Sequence, residues 1–159
     1  AQRQQVQMCI RARPWITVQD FSSRGTISRV KGWKTGRVHQ LMSNLEYQYL
    51  LLLEWADDVI DIREQYPLLD VTVTMEIAQQ AGIRHPYDSV SGFPYVLTSD
   101  FLITTVNGIV ARTVKMSAEL SNPRVLEKLE LERRYWQAKG VSWRIVTERG
   151  NKKPTSRNN

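Results

Sequence analysis

The sequence predicts an α/β fold, a mixed sheet with helices packed on it, on three observations. Asn107-Gly108 separates two apolar alternating runs, two segments open with helix-capping residues and carry apolar side chains at helical spacing, and the last patterned segment is β-branched. A length of 159 residues and an apolar share of 42% suit one domain with a real core. No apolar run approaches the roughly 18 residues of a membrane span. A single cysteine, Cys9, excludes an internal disulfide framework and fits a reducing cytoplasm.

Each element follows from local pattern. Pro14-Trp15-Ile16-Thr17-Val18 predicts a short strand, and residues 22–37, rich in Ser, Gly, Lys and Arg, a loop or irregular hairpin. Ser43-Asn44-Leu45-Glu46 reads as a capping box; Leu45, Tyr49, Leu52, Leu53 and Ala56 then recur at helical spacing toward Asp57-Asp58. Residues 59–66 predict a strand stopped by Pro67. Residues 71–81 admit a short helix, and 82–94 are turn-rich. Asn122-Pro123 caps a second helix running to about Ala138, before Gly140. Residues 141–147 predict the last strand. This divides the chain into a basic, partly irregular segment at 1–40, a core at 41–150 and a polar tail or linker at 151–159. The chain begins without Met, as expected of a piece of a longer protein.

The hairpin of residues 95–115 carries the chemistry. A type I′ turn at Asn107-Gly108 needs φ > 0 at both central residues, which these residue types tolerate. That turn sets Val106 opposite Ile109, Leu102 opposite Thr113, and Asp100 opposite Lys115. An acid facing a lysine at the end of an apolar hairpin suits a metal-ion nuclease, with the carboxylate on a divalent cation and the lysine near a phosphate or the attacking water. It equally describes a surface ion pair worth about 0 to 1 kcal/mol.

Charge is unevenly placed: residues 1–40 hold eight basic and one acidic side chain, 41–143 nine basic and fourteen acidic, and 144–159 five basic and one acidic. Basic flanks on an acidic body point to a polyanion, nucleic acid first. Arg29, Lys31, Lys34, Arg37 and His39, interleaved with Trp33, suit a phosphate backbone. Glu132 falls on the apolar helix face of Val125, Leu129 and Trp136, where burying it unpaired costs several kcal/mol. Its partner is an arginine such as Arg112 or Arg63, or else it serves the site of Lys115. Glu46 has two readings, capping residue or second carboxylate of a Mg²⁺ site. Two histidines, His39 and His85, are too few for zinc, and no phosphate-cradling GxxxxGK[ST] loop is present.

Glu46, then Asp100 on a strand, then Thr113-Val114-Lys115 on its partner resembles the PD-(D/E)xK pattern. Longer strings resemble the catalytic domain of TnsA-type transposon endonucleases. They are Pro14-Trp15-Ile16-Thr17-Val18-Gln19, Lys34-Thr35-Gly36-Arg37-Val38-His39, Ser43-Asn44-Leu45-Glu46, Leu53-Glu54-Trp55, Asp61-Ile62-Arg63-Glu64-Gln65-Tyr66-Pro67-Leu68-Leu69, Thr98-Ser99-Asp100-Phe101-Leu102 and Leu126-Glu127-Lys128-Leu129-Glu130-Leu131-Glu132-Arg133-Arg134-Tyr135-Trp136.

The resemblance implies a restriction-endonuclease-like fold and Mg²⁺ dependence, with Mn²⁺ as a substitute. It implies cleavage of the non-transferred 5′ strands of double-stranded DNA at transposon ends. The implied partners are a DDE-type transposase subunit, which cuts the 3′ strands, and an AAA+ regulator engaged through a further C-terminal domain. Carried over, Glu46 and Asp100 are the acidic metal ligands, Thr113 and Val114 complete the metal shell, and Lys115 is the catalytic lysine of a set that also holds Glu46, Asp100, Thr113 and Glu132. Thr113 departs from the family, which commonly has Gln there, as nucleases of this fold have Asp or Glu; Glu132 or Glu46 then compensates. The departure keeps open a nuclease-like module that only binds DNA or the transposase. A resolvase or restriction enzyme of the same fold is the neighbouring alternative.

Overall fold

The computed structural model describes residues 27–149. The strand expected at Pro14-Trp15-Ile16-Thr17-Val18, Cys9 and the polar tail lie outside the described residues. A small antiparallel hairpin comes first, β1 (Ser28–Lys31) with β2 (Val38–Leu41). Helix α1 (Asn44–Trp55) leads to β3 (Val59–Pro67), and α2 (Val71–Ala81) follows. Then come β4 (Thr98–Thr105), β5 (Gly108–Val114), a 3₁₀ turn (Ser117–Ser121), α3 (Pro123–Ala138) and β6 (Ser142–Val146). The main sheet has the order β3-β4-β5-β6. Its first three strands are antiparallel; β6 returns parallel to β5 because α3 carries the chain back across the sheet. This is the mixed α/β architecture of a restriction-endonuclease-like fold.

The helix boundaries follow the capping residues. Ser43 Oγ accepts the Glu46 N–H at 3.1 Å, and Asn122 caps α3 with Pro123 at its first position. Glu46 does not close the reciprocal half of the capping box on Ser43. Its carboxylate reaches one residue further, to the Met42 N–H at 2.7 Å. Gly82, at φ 65, ends α2 in the left-handed conformation that glycine takes without strain.

Two apolar layers sandwich the sheet. Leu45, Leu50 and Leu53 of α1 pack on Ile62, Phe101, Ile103 and Val114. Leu131, Tyr135 and Trp136 of α3, with Ile77 and Ala78 of α2, pack on Leu102 and Ala111. Side chains along a strand alternate between faces; beyond the bulge between Val59 and Asp61, that alternation slips once more where β3 and β4 pass the site. Ile62 lies in the α1 layer, yet Tyr66 packs against the α3 layer. Phe101 lies in the α1 layer, yet Ser99 hydrogen-bonds side chains of α3. The slip falls on Gln65 and Asp100, the one opposed pair between Glu64↔Phe101 and Tyr66↔Ser99 that the ladder skips. Gln65 sits there at φ 49, a left-handed conformation costly for a residue with a Cβ.

The β4–β5 turn differs from the expected one. Thr105 pairs with Gly108, and Leu102 with Ala111, so the turn centres on Val106-Asn107 and not on Asn107-Gly108. Only Gly108, at φ 123, has positive φ in this turn. The Thr105 hydroxyl holds it, accepting the Asn107 N–H at 3.2 Å and donating to the Gly108 carbonyl at 2.9 Å, while the Val106 N–H donates to the Asp58 carbonyl at 2.9 Å. Asp100 therefore lies level with Thr113, and Lys115 two residues further on. The shift is by two residues, so the faces of β5 are unchanged.

Candidate active site

Where β4 and β5 part beyond Phe101↔Arg112, the Asp100 carboxylate fills the gap. Its Oδ2 accepts the Val114 N–H at 2.6 Å, satisfying a main-chain donor that the ladder no longer reaches. From the α1 side comes Glu46, its Oε2 also accepting the Gln65 side-chain amide at 3.4 Å. From the α3 side comes Glu132, whose Oε2 accepts the hydroxyls of Thr113 at 2.5 Å and Ser99 at 2.8 Å. Two indoles fix those hydroxyls: Trp143 donates to Thr113 Oγ1 at 3.0 Å and Trp136 to Ser99 Oγ at 2.8 Å. Asp100, Thr113, Lys115 and Glu132 line one cleft of about 950 Å³ between α3 and residues 84–98.

The three carboxyls share an electrostatic signature. Burial, then the charge of Asp100, pushes Glu46 up to about 8, against the Met42 N–H and the Lys115 charge. Burial raises the Asp100 carboxyl to about 6, although the Val114 N–H and Lys115 favour its ionised form. Burial and the Asp100 charge raise Glu132 to about 7, against its hydrogen bonds from Thr113, Ser99 and Trp143. The Lys115 charge favours the ionised form of both Glu46 and Asp100 but does not overcome their burial. Clustered raised carboxyls in a cleft are a functional-site signature.

The donor set is all oxygen, which suits Mg²⁺ or Mn²⁺. Among the described residues no three acidic, His or Cys side chains gather closely enough to cage an ion by themselves. Mg²⁺ tolerates this, because it retains several waters and takes only one or two carboxylates.

The sequence-predicted residues separate into two groups. Glu46, Asp100, Thr113, Lys115 and Glu132 come together. The arginine partners considered for Glu132, Arg112 and Arg63, do not reach it: Arg63 pairs with Asp61 at 3.1 Å, and Arg112 donates to main-chain carbonyls. Of the basic set, Arg29 and Lys31 are exposed on β1. Lys34 instead clamps the end of α1, its Nζ donating to the carbonyls of Ala56 at 2.7 Å and Val59 at 2.8 Å. Arg37 donates to the Ile62 carbonyl at 2.7 Å, and His39 is fully buried against Glu64 at 2.6 Å. Sequence reasoning missed Gln65, Ser99 and the two indole donors. Only Ser99 carried a signal, a hydroxyl beside Asp100; nothing in the string marks a positive φ at Gln65.

The TnsA-like endonuclease N terminal family model matches residues 56–148. The transposon Tn7 transposition protein TnsA of Escherichia coli is 48% identical over 139 residues, 86% of this chain and 50% of that protein. The chain thus spans about half the length of the curated relative it matches.

Proposed function

Since the chain belongs to the TnsA-like endonuclease family, we propose that it is a divalent-metal-dependent DNA endonuclease that hydrolyses the 5′ strands at transposon ends. The observation that carries this reading is the gathering of the raised carboxyls Glu46 and Glu132 about Asp100, with Lys115 beside them. Such a site is relieved by a cation, which in turn can attract a phosphate.

Asp100 and Glu46 are the proposed carboxylate ligands, and Val114 has only its main-chain carbonyl to offer. A bound Mg²⁺ supplies Lewis-acid polarisation of the phosphate and lowers the pKa of a coordinated water. Lys115 contributes a positive charge beside the phosphate oxygens and the attacking water. Thr113 acts through Glu132: its proton is committed to that carboxylate and its oxygen to the Trp143 indole. Glu132 thereby stands at the hairpin where relatives of this fold place a strand carboxylate or amide, and it accepts a proton from the incoming water or holds the ion's outer shell. Arg29 and Lys31 are the proposed backbone contacts on β1; Lys34, Arg37 and His39 support them by fixing the hairpin.

The partners proposed are a DDE-type transposase subunit, which cuts the 3′ strands, and an AAA+ regulator. Incubating the protein with that transposase, transposon-end duplex and Mg²⁺ or Mn²⁺ is expected to give 5′-strand nicks that Asp100→Ala abolishes while 3′-strand cleavage persists. Undiminished 5′ cutting by the variant removes Asp100 from the mechanism. A folded wild-type protein that cuts with neither metal favours the binding-only module.

A further inference from the structure

Residues 86–95 form a miniature hairpin at the mouth of the cleft. Tyr87 and Pro94 bridge, the Tyr95 N–H donates to the Pro86 carbonyl at 2.9 Å, and the Asp88 N–H donates to the Phe93 carbonyl at 2.8 Å. The Asp88 carboxylate ties the tip, accepting the Val90 N–H at 3.0 Å and the Ser91 hydroxyl at 2.7 Å. Gly92, at φ 71, makes the turn. This framework holds Val90 93% exposed and Phe93 72% exposed. A hydrogen-bonded loop that fixes apolar side chains in water calls for a partner.

Position and charge choose the partner. Tyr87 and Tyr95, at the base of the hairpin, line the same cleft as Asp100 and Lys115. Arg84 and Lys128 line it too, both exposed and neither in an ion pair among the described residues. The other exposed aromatic pair, Trp33 and Trp55 with centroids 5.1 Å apart, lies next to the exposed acids Asp57 and Asp58. What sets the hairpin tip apart is its place at the cleft of Asp100 and Lys115, beside Arg84 and Lys128.

We propose that the tip of residues 86–95 is a DNA wedge: Phe93 and Val90 press against the bases of the strand to be cut, while Arg84 and Lys128 take flanking phosphates. This rests on the nuclease reading above and adds how the scissile strand reaches the site. Asp100 and Glu132 line a cleft of about 950 Å³, room for a short stretch of one strand to enter. Apolar side chains inserted at a base step unstack it and bend the duplex, which frees the strand to enter.

The test places a photo-crosslinking amino acid at Phe93 in the full chain, assembled with the transposase and transposon-end duplex. The expected product is a crosslink to DNA within a few nucleotides of the cut, with none from the same group at Trp55. A crosslink from position 93 to the transposase polypeptide, or no crosslink, overturns the proposal. Phe93→Ala with Val90→Ser gives the second readout. KM for intact duplex is expected to rise about tenfold, from the loss of base–side-chain stacking, and to change little on duplex with unpaired bases at the cut. Equal impairment on both substrates overturns the wedge. A protein that crosslinks at position 93 but never cuts refutes the nuclease reading and leaves the DNA contact standing.

Discussion

Glu64 and Asp100 are on neighbouring strands, one register step apart, and the fold treats them in opposite ways. Burial alone would raise Glu64, but the hydrogen bond and charge of His39 and the charge of Arg37 outweigh it and hold the carboxyl below its ordinary value. The Gln40 N–H adds a further donor at 3.3 Å. Asp100 has only the Val114 N–H and the Lys115 charge on its side, and burial wins. Glu46 and Glu132, raised with it, deepen the contrast. A buried carboxylate that the chain neutralises itself is architecture. A cluster left short of cations is a place where a ligand completes the charge balance.

That contrast can be broken at either end, and the largest effect belongs to the underpaired end. Asp100→Ala is expected to lower 5′-strand cleavage by about a thousandfold or more, the scale of losing a group that stabilises transition-state charge. Circular dichroism should show the variant folded, and single-turnover kinetics with the transposase present measures the loss.

At the neutralised end the loss should fall on stability. His39→Ala leaves Glu64 buried beside Arg37 alone, with an expected cost of about 3 kcal/mol, as when one partner of a buried pair is removed. Urea denaturation with an unchanged slope measures it. A cost near zero would mean that Arg37 carries the neutralisation.

The third expectation concerns pH. Glu46, Asp100 and Glu132 have folded-state values of about 8, 6 and 7, above the ordinary 4.5, 3.8 and 4.5. Between about pH 4 and pH 8 the folded state binds more protons than the unfolded, so without metal their contribution to stability falls as pH rises through that window. Glu64 slopes the other way, its contribution being lost as pH falls below 4.5 toward its lowered folded-state value. Asp100→Asn should therefore stabilise the metal-free protein at pH 8 by about 1–2 kcal/mol. Mg²⁺ should raise the wild-type Tm more at pH 8 than at pH 5. Calorimetry at the two pH values decides, and equal Mg²⁺ effects would detach the ion from these carboxyls.

Smaller effects should sharpen the boundary of the site. Thr113→Val removes one hydroxyl donor from Glu132 and is expected to slow cleavage about fivefold, in keeping with about 1 kcal/mol for one hydrogen bond. Thr113→Glu should lower the metal concentration needed for half-maximal cleavage. Identical metal titrations in all three proteins would place residue 113 outside the metal's influence. Neutralising Arg29 and Lys31 together should flatten the salt dependence of DNA binding by about two counterions' worth.

Much of the fold was legible in the string, and the reason is local. Ser43 and Asn122 cap helices wherever they precede such periodic runs, and β-branched residues 141–147 suit little but a strand. The hairpin register was not legible, because it is set by Thr105 and by the distant Asp58 carbonyl and not by the Asn-Gly pair alone. Glu132 stood out as a carboxylate on an apolar face. Its hydroxyl partners did not, since Ser99 reaches α3 only through the slip at Gln65 and Asp100. The same blindness applies to the basic segment: composition cannot distinguish a cation offered to solvent from Lys34, folded back onto the end of a helix.

The parallel return of β6 has a consequence for the order in which the protein is made. Strand β5 leaves the ribosome with Asp100, Thr113 and Lys115 already synthesised, but the groups that hold them come last. The Val146 carbonyl takes the Lys115 N–H at 2.9 Å, and the Trp143 indole holds Thr113. A nascent chain that has reached α3 therefore carries every proposed catalytic side chain without its final brace. The side chains proposed to act on DNA thus reach their final brace only once β6 has been made.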